Sequence, residues 1–178
     1  GYSDELELME WLSQKIWPIE DKMNGKDVFW ASMLSMIEMI KSGTTTFNDH
    51  YFFEEETARA AVEIGMRAIL ARCVIGDGEG AEKRFQEAEK LYRDWHQAGN
   101  GRIQICVGLH APYTCPPEVI KKGVELAKKL QIPFHIHYLE TEDEIHQIQE
   151  KYGKTVTDYL KECGIDQVKS ILAHGVQM

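Results

Sequence analysis

Hydrophobic positions in this chain recur at helical spacing in some stretches and run together in others. Residues 6–17 place Leu6, Met9, Leu12, Ile16 and Trp17 along one helical face, and Pro18 is expected to end that run. Residues 27–42 repeat the pattern with Val28, Met33, Leu34, Ile37, Met39 and Ile40, closed by Gly43. The spacing predicts further helices over 54–64, 81–97, 118–130 (entered through Pro116-Pro117), 142–151 and 155–163. Short β-branched or apolar stretches at 44–48, 68–72, 103–109, 133–139 and 170–173 read as strands. Gly76 to Gly80 reads as a flexible loop.

Strands that alternate with helices imply an α/β fold. These strands are short and apolar, as in a parallel sheet covered on both faces. Five such strands suit a flavodoxin-like sheet or part of an eight-stranded barrel, and strand count alone does not separate the two. No linker, repeat or low-complexity tract interrupts them, and 178 residues is the size of one domain.

An apolar share of 43% is too high for disorder. A net charge of −9 weighs against nucleic-acid binding, which needs clustered Lys and Arg. No apolar run approaches the roughly 20 residues of a membrane span. The four cysteines form no Cys-x-x-Cys pair, which excludes zinc-ribbon and thioredoxin-type readings and suits a reducing cytoplasm. The opening Gly1-Tyr-Ser-Asp-Glu has neither a signal-peptide pattern nor an initiator Met, so a start inside a longer gene product is expected.

The candidate chemistry lies at the predicted strand ends: Asn48 and Asp49, Arg72, His110, His137 with Glu140, and His174. In barrels and open α/β sheets alike, the carboxyl edge holds the active site. His135 and His137, two apart, face the same way on a strand. Imidazoles with a carboxylate beside them suit a metal-activated water. Each residue also has a bland reading. The histidine pair can be core histidines, Glu140 a helix N-terminal acid, His174 a turn residue, Arg72 a salt-bridge partner and Glu20 a surface acid. His135, two residues deeper, is given a supporting role. His50, His96 and His146 have no constellation and read as solvated or structural, and Tyr51 to Phe53 reads as core. Dinucleotide, phosphate-loop and nucleophile-elbow motifs are absent from the sequence.

Trp11-Leu12 through Pro18-Ile-Glu20, Ser42-Gly-Thr-Thr-Thr-Phe47, Gly65-Met-Arg-Ala68, Gly108-Leu-His-Ala-Pro-Tyr-Thr114, His135-Ile-His-Tyr-Leu-Glu-Thr141 and Ala173-His-Gly175 occur in an order that resembles the amidohydrolase superfamily. The nearest branch is that of S-adenosylhomocysteine and 5′-methylthioadenosine deaminases, with triazine chlorohydrolases and guanine deaminases as cousins. The resemblance implies a partial TIM-type (β/α)8 barrel, about strands two to six with their helices, and one divalent metal, zinc by preference. By position, His137 matches a metal ligand, Glu140 the proton shuttle and His174 a contact to the hydrolytic water. Glu20 and His110 match contacts to the ribose and the purine, and Arg72 an arginine of the substrate pocket. Arg84, placed in a mobile loop region, is similar to an arginine that reaches a neighbouring subunit's site.

The implied activity is release of ammonia from the purine C6 of adenosine thioethers, by water activated on the metal. A chlorohydrolase or other amidohydrolase on the same scaffold is one alternative, and a non-catalytic α/β module is another. The family's first-strand His-x-His and eighth-strand Asp have no counterpart in these residues. One ligand does not make a zinc site that needs three or more, so the isolated chain is expected to be inactive. Unpaired strand edges invite self-association, so a homo-oligomer is expected. The expected partner is a nucleoside-like small molecule, with no nucleic acid and no membrane.

Overall fold

A computed structural model of the protein describes residues 6–178. The described residues begin with helical backbone over α1 (Leu8–Trp11), a π-turn (Leu12–Ile16) and α2 (Trp17–Glu20). Pro18 does not end that run. It sits in the first turn of α2, where its missing N–H is no loss, and the π-turn ahead of it widens the helix. Helix α3 (Gly25–Lys41) starts from a capping box in which Asn24 and Asp27 satisfy each other's backbone N–H.

From there strands and helices alternate: β1 (Thr46–Tyr51), α4 (Glu54–Ile64), β2 (Arg67–Val74), α5 (Gly78–Trp95) and a short turn α6 (Ala98–Gly101). Then follow β3 (Ile103–Ile105), β4 (Val107–Leu109), α7 (Pro117–Leu130), β5 (Phe134–Tyr138), α8 (Glu142–Tyr152), α9 (Val156–Glu162) and β6 (Ser170–His174). Every pairing is parallel, in the order β1-β2-β4-β5-β6, with β3 also on β2. This is the expected α/β half-barrel.

Of the differences from the sequence reading, four have a local reason. β1 starts two residues late and runs to Tyr51, because its ladder with β2 continues past the β-branched residues, from Thr46 opposite Arg67 to Tyr51 opposite Arg72. β2 extends to Val74, so Arg72 is inside the strand rather than at its end. The stretch 103–109 is two strands that break at Cys106 yet keep one register, with Ala68 opposite Ile103 and Cys73 opposite Gly108. Gly78 and Gly80 belong to α5 rather than to a loop.

Alternation sorts the side chains. Phe134, Ile136 and Tyr138 of β5 join Leu70, Val107 and Leu109 in the core beneath the helices, while His135 and His137 point to the other face. α7 closes on this core through Gly123, where a Cβ would lie 2.6 Å from Leu109 Cδ1 and 2.9 Å from Phe134 Cε2. Those partners are buried and cannot retreat. Gly123→Ala is therefore expected to destabilise the fold by about 1–3 kcal/mol, seen as a lower urea midpoint at unchanged slope. A wild-type midpoint would show that α7 stands further from the sheet.

Candidate functional site

Parallel pairing brings the carboxyl ends of all strands to one edge, and the imidazoles gather there. The His50 ring of β1 lies 4.7 Å from that of His135 and 5.2 Å from that of His137. The His137 ring lies 5.3 Å from His110 and 5.0 Å from His174. In a flat sheet β1 and β5, three spacings apart, would be separated by roughly 14 Å. Rings in contact across that span require a curled sheet. The interior also needs room, and Gly108 of β4 leaves it: a Cβ there would fall 2.8 Å from the His50 ring and 2.7 Å from Ala71 Cβ. Asn48, on the same face of β1, meets His135 Nδ1 at 3.3 Å.

The electrostatics follow from burial. Burial, with the neighbouring imidazoles adding to it, holds His135 and His137 at about 4 and His50 well below the usual 6.5. Burial also lowers His110. Four of these nitrogens are buried without a partner: both of His50, Nε2 of His135 and Nδ1 of His137. Neutral imidazoles with free nitrogens are what a divalent cation takes. Yet no group of three or more His, Cys, Asp or Glu able to hold a metal occurs among the described residues. The residues present therefore fit part of a metal site and do not close one.

Just past β5, Glu140 Oε1 lies 3.6 Å from His174 Nε2. His110 Nδ1 is tied to Thr114 Oγ1 at 2.8 Å, which fixes its ring. His110, His137, Glu140 and His174 are thus brought together. Glu20, Arg72 and Arg84 instead line a separate cavity of about 660 Å³ beside Phe52 and Trp17. Glu20 accepts the Tyr51 hydroxyl at 2.5 Å. Arg72 places two guanidinium nitrogens 2.8 Å from Glu87 Oε2 and a third donor on the Cys73 carbonyl at 2.6 Å. Arg84 is a residue of α5, not of a loop, and its Nε is buried without a partner.

The sequence reading misplaced His50, which is no solvated bystander but packs between His135 and His137. The signal was available: Asn48 and His50 are two apart on a strand, as His135 and His137 are. His96 is structural as read, accepting the Ile105 N–H at 3.1 Å, and His146 is exposed. The acids Glu54 and Glu144 were not singled out, and both are fully buried.

The family model described as the amidohydrolase family matches residues 1–178. A 5-methylthioadenosine/S-adenosylhomocysteine deaminase of Thermoanaerobacter pseudethanolicus is 46% identical over 180 residues, 100% of this chain and 42% of that protein. The chain thus spans about two-fifths of the length of the curated relatives it matches. An adenosine deaminase from Xanthomonas campestris, crystallised with bound zinc, superposes with a TM-score of 0.87 at 30% identity, covering 93% of this chain and 38% of that one. An atrazine chlorohydrolase from Arthrobacter aurescens, complexed with zinc, shares the fold with a TM-score of 0.85 at 20% identity, covering 96% and 44%.

Unfolded imidazoles titrate near 6.5, while the folded His135 and His137 refuse protons down to about 4. Their contribution to stability is full above about 6.5 and is lost as pH falls toward 4. In the metal-free protein, proton NMR of their Cε1–H signals is expected to show midpoints near 4. Midpoints near 6.5 would mean that the cluster is open to water.

Proposed function

Because the chain belongs to the amidohydrolase family, we propose that the protein hydrolytically deaminates the purine C6 of adenosine thioethers such as 5′-methylthioadenosine and S-adenosylhomocysteine. The observation that carries this reading is the meeting of His137, Glu140 and His174 at one sheet edge, with His137 and His174 rings 5.0 Å apart and Glu140 3.6 Å from His174. It is supported by a relative of that name, 46% identical across this whole chain.

His137 is the residue we assign to a divalent cation, zinc by preference. The remaining ligands, a first-strand His-x-His and an eighth-strand Asp, are assigned to segments beyond these residues. Such a cation supplies an acidified water, with a pKa brought down to about 7. Glu140 takes the proton of the attacking water and delivers it to the leaving nitrogen, so that water and the amine become the C6 carbonyl and ammonia. His174, in contact with Glu140, orients that water. His110, its ring fixed by Thr114, lies on the purine side. Glu20, held by Tyr51 in the cavity beside this cluster, is assigned to the ribose, as the resemblance implies. Arg84 is assigned, as the resemblance implies, to a neighbouring subunit's site, and Arg72, braced by Glu87, to the wall of the substrate pocket.

We place the protein in the cytoplasm as a homo-oligomer. The first rests on four buried free thiols and the second on the resemblance of Arg84 to an arginine that reaches a neighbouring subunit's site. No helix among the described residues is long and apolar enough to cross a membrane.

The test is ammonia release by the intact protein from both thioethers. Glu140→Gln is expected to lower kcat by about 10²- to 10⁴-fold with the circular dichroism unchanged. No ammonia from either substrate would overturn the assignment, and chloride release from a chlorotriazine would move it to the chlorohydrolases.

A further inference from the structure

We propose that Glu144 is a positioning residue for Glu140: its carboxylate fixes the loop that presents the Glu140 side chain to His174. The proposal rests on the reading of Glu140 as the proton-transfer group.

Glu144 lies in the first turn of α8 and is fully buried, a rare state for a glutamate on a helix that flanks a sheet. The start of α8 is already capped, since the Thr141 hydroxyl oxygen accepts the Glu144 N–H at 3.2 Å. In a capping box the carboxylate at this position would return to the backbone N–H of the cap residue. Here it reaches further back. Oε1 accepts the Leu139 N–H at 3.1 Å, and Oε2 accepts the Glu140 N–H at 3.0 Å. Both oxygens are thus committed to two consecutive donors of the strand-to-helix loop, through bonds strengthened by the charge of the acceptor.

That loop needs holding. Leu139 has a φ of 49°, in the left-handed region that a residue with a side chain keeps only when its surroundings impose it. On its other flank the loop is tied to the exit of β6, where the Gly175 N–H donates to the Tyr138 carbonyl at 2.8 Å and the Gln177 N–H to the Leu139 carbonyl at 3.0 Å. The Leu139 peptide is therefore gripped from both sides, by Glu144 through its N–H and by Gln177 through its carbonyl. The direction of the Glu140 side chain follows from that grip. Glu54 performs a weaker version after β1, where Oε1 accepts the Tyr51 N–H at 2.9 Å and Oε2 is buried without a partner.

The test compares Glu144→Gln and Glu144→Ala in the intact protein, by amide hydrogen exchange resolved to single residues. Gln keeps the shape and one oxygen acceptor, so it remains informative even if Ala fails to fold. Exchange at Leu139 and Glu140 is expected to quicken by about tenfold in Gln and about a hundredfold in Ala, while Ile136 of β5 and the urea midpoint of the Gln variant hold. A role in stability alone would move all amides together. A second arm follows the pH profile of ammonia release. In Glu144→Gln the profile is expected to shift along the pH axis, whereas a smaller folded fraction would only scale it. Wild-type exchange at both amides, or an unshifted profile, overturns the proposal. The exchange arm needs no turnover, so it decides on the clamp even if Glu140→Gln leaves ammonia release intact and sinks the proton-transfer reading.

Discussion

Parallel pairing is the constraint on which the rest of this structure depends. Five neighbouring strands run the same way, so every carboxyl end must reach one edge, and whatever residues sit at those ends must meet. Antiparallel pairing would have scattered His50, His110, His137 and His174 over two opposite edges. Curling then converts a row into a cluster, and glycine permits it. Gly108 gives up its side chain so that the His50 ring can lie over β4 and reach His135. On the outer face Gly123 makes the matching concession, letting α7 settle against Leu109 and Phe134. A small residue on each side of one strand pair thus sets both the width of the interior and the depth of the helix layer.

The same edge carries conformational strain. Phe53 after β1, Leu139 after β5 and His174 at the end of β6 all have left-handed backbone without being glycine. Such residues persist where neighbouring bonds over-determine them, and at this edge those bonds come from buried carboxylates and from backbone of the adjacent segment. The energetic balance is uneven. Neutral imidazoles gathered out of water lose hydration, and four of their nitrogens recover no protein partner. The core behind them, continuous from Phe29 to Ile165, supplies the apolar burial that tolerates this loss. Among the described residues, Leu172 of β6 is 44% exposed, and α3 shows Trp30 and Leu34 at 61%.

Much of the fold was legible because its signals are local. The α4 boundaries and the cores of β2, β5 and β6 follow from periodicity and from Gly stops such as Gly65. The pairing of His135 with His137 follows from strand alternation alone. What failed depended on partners distant in sequence. β1 was expected to end at Asn48, before the polar Asp49 and His50, yet its ladder with β2 continues through Tyr51. His50 shares a two-residue spacing with Asn48, but the rings it packs against lie some 85 residues downstream on β5, and spacing alone does not reveal them. Arg72 lies within β2 and Glu20 at the end of α2, and only the folded structure shows one braced by Glu87 and the other by Tyr51. Glu144 looked like an ordinary first-turn acid, because nothing in its spacing distinguishes a capping glutamate from one that reaches back to Leu139.

The central claim is that these strand-end imidazoles serve a metal at the carboxyl edge of the sheet. The most direct measurement is anomalous diffraction at the zinc edge from crystals of the intact protein grown with zinc. The account predicts a single strong peak about 2.0–2.1 Å from a ring nitrogen of His137, within reach of Glu140 and His174. A peak elsewhere, with the His137 ring unligated, would contradict it.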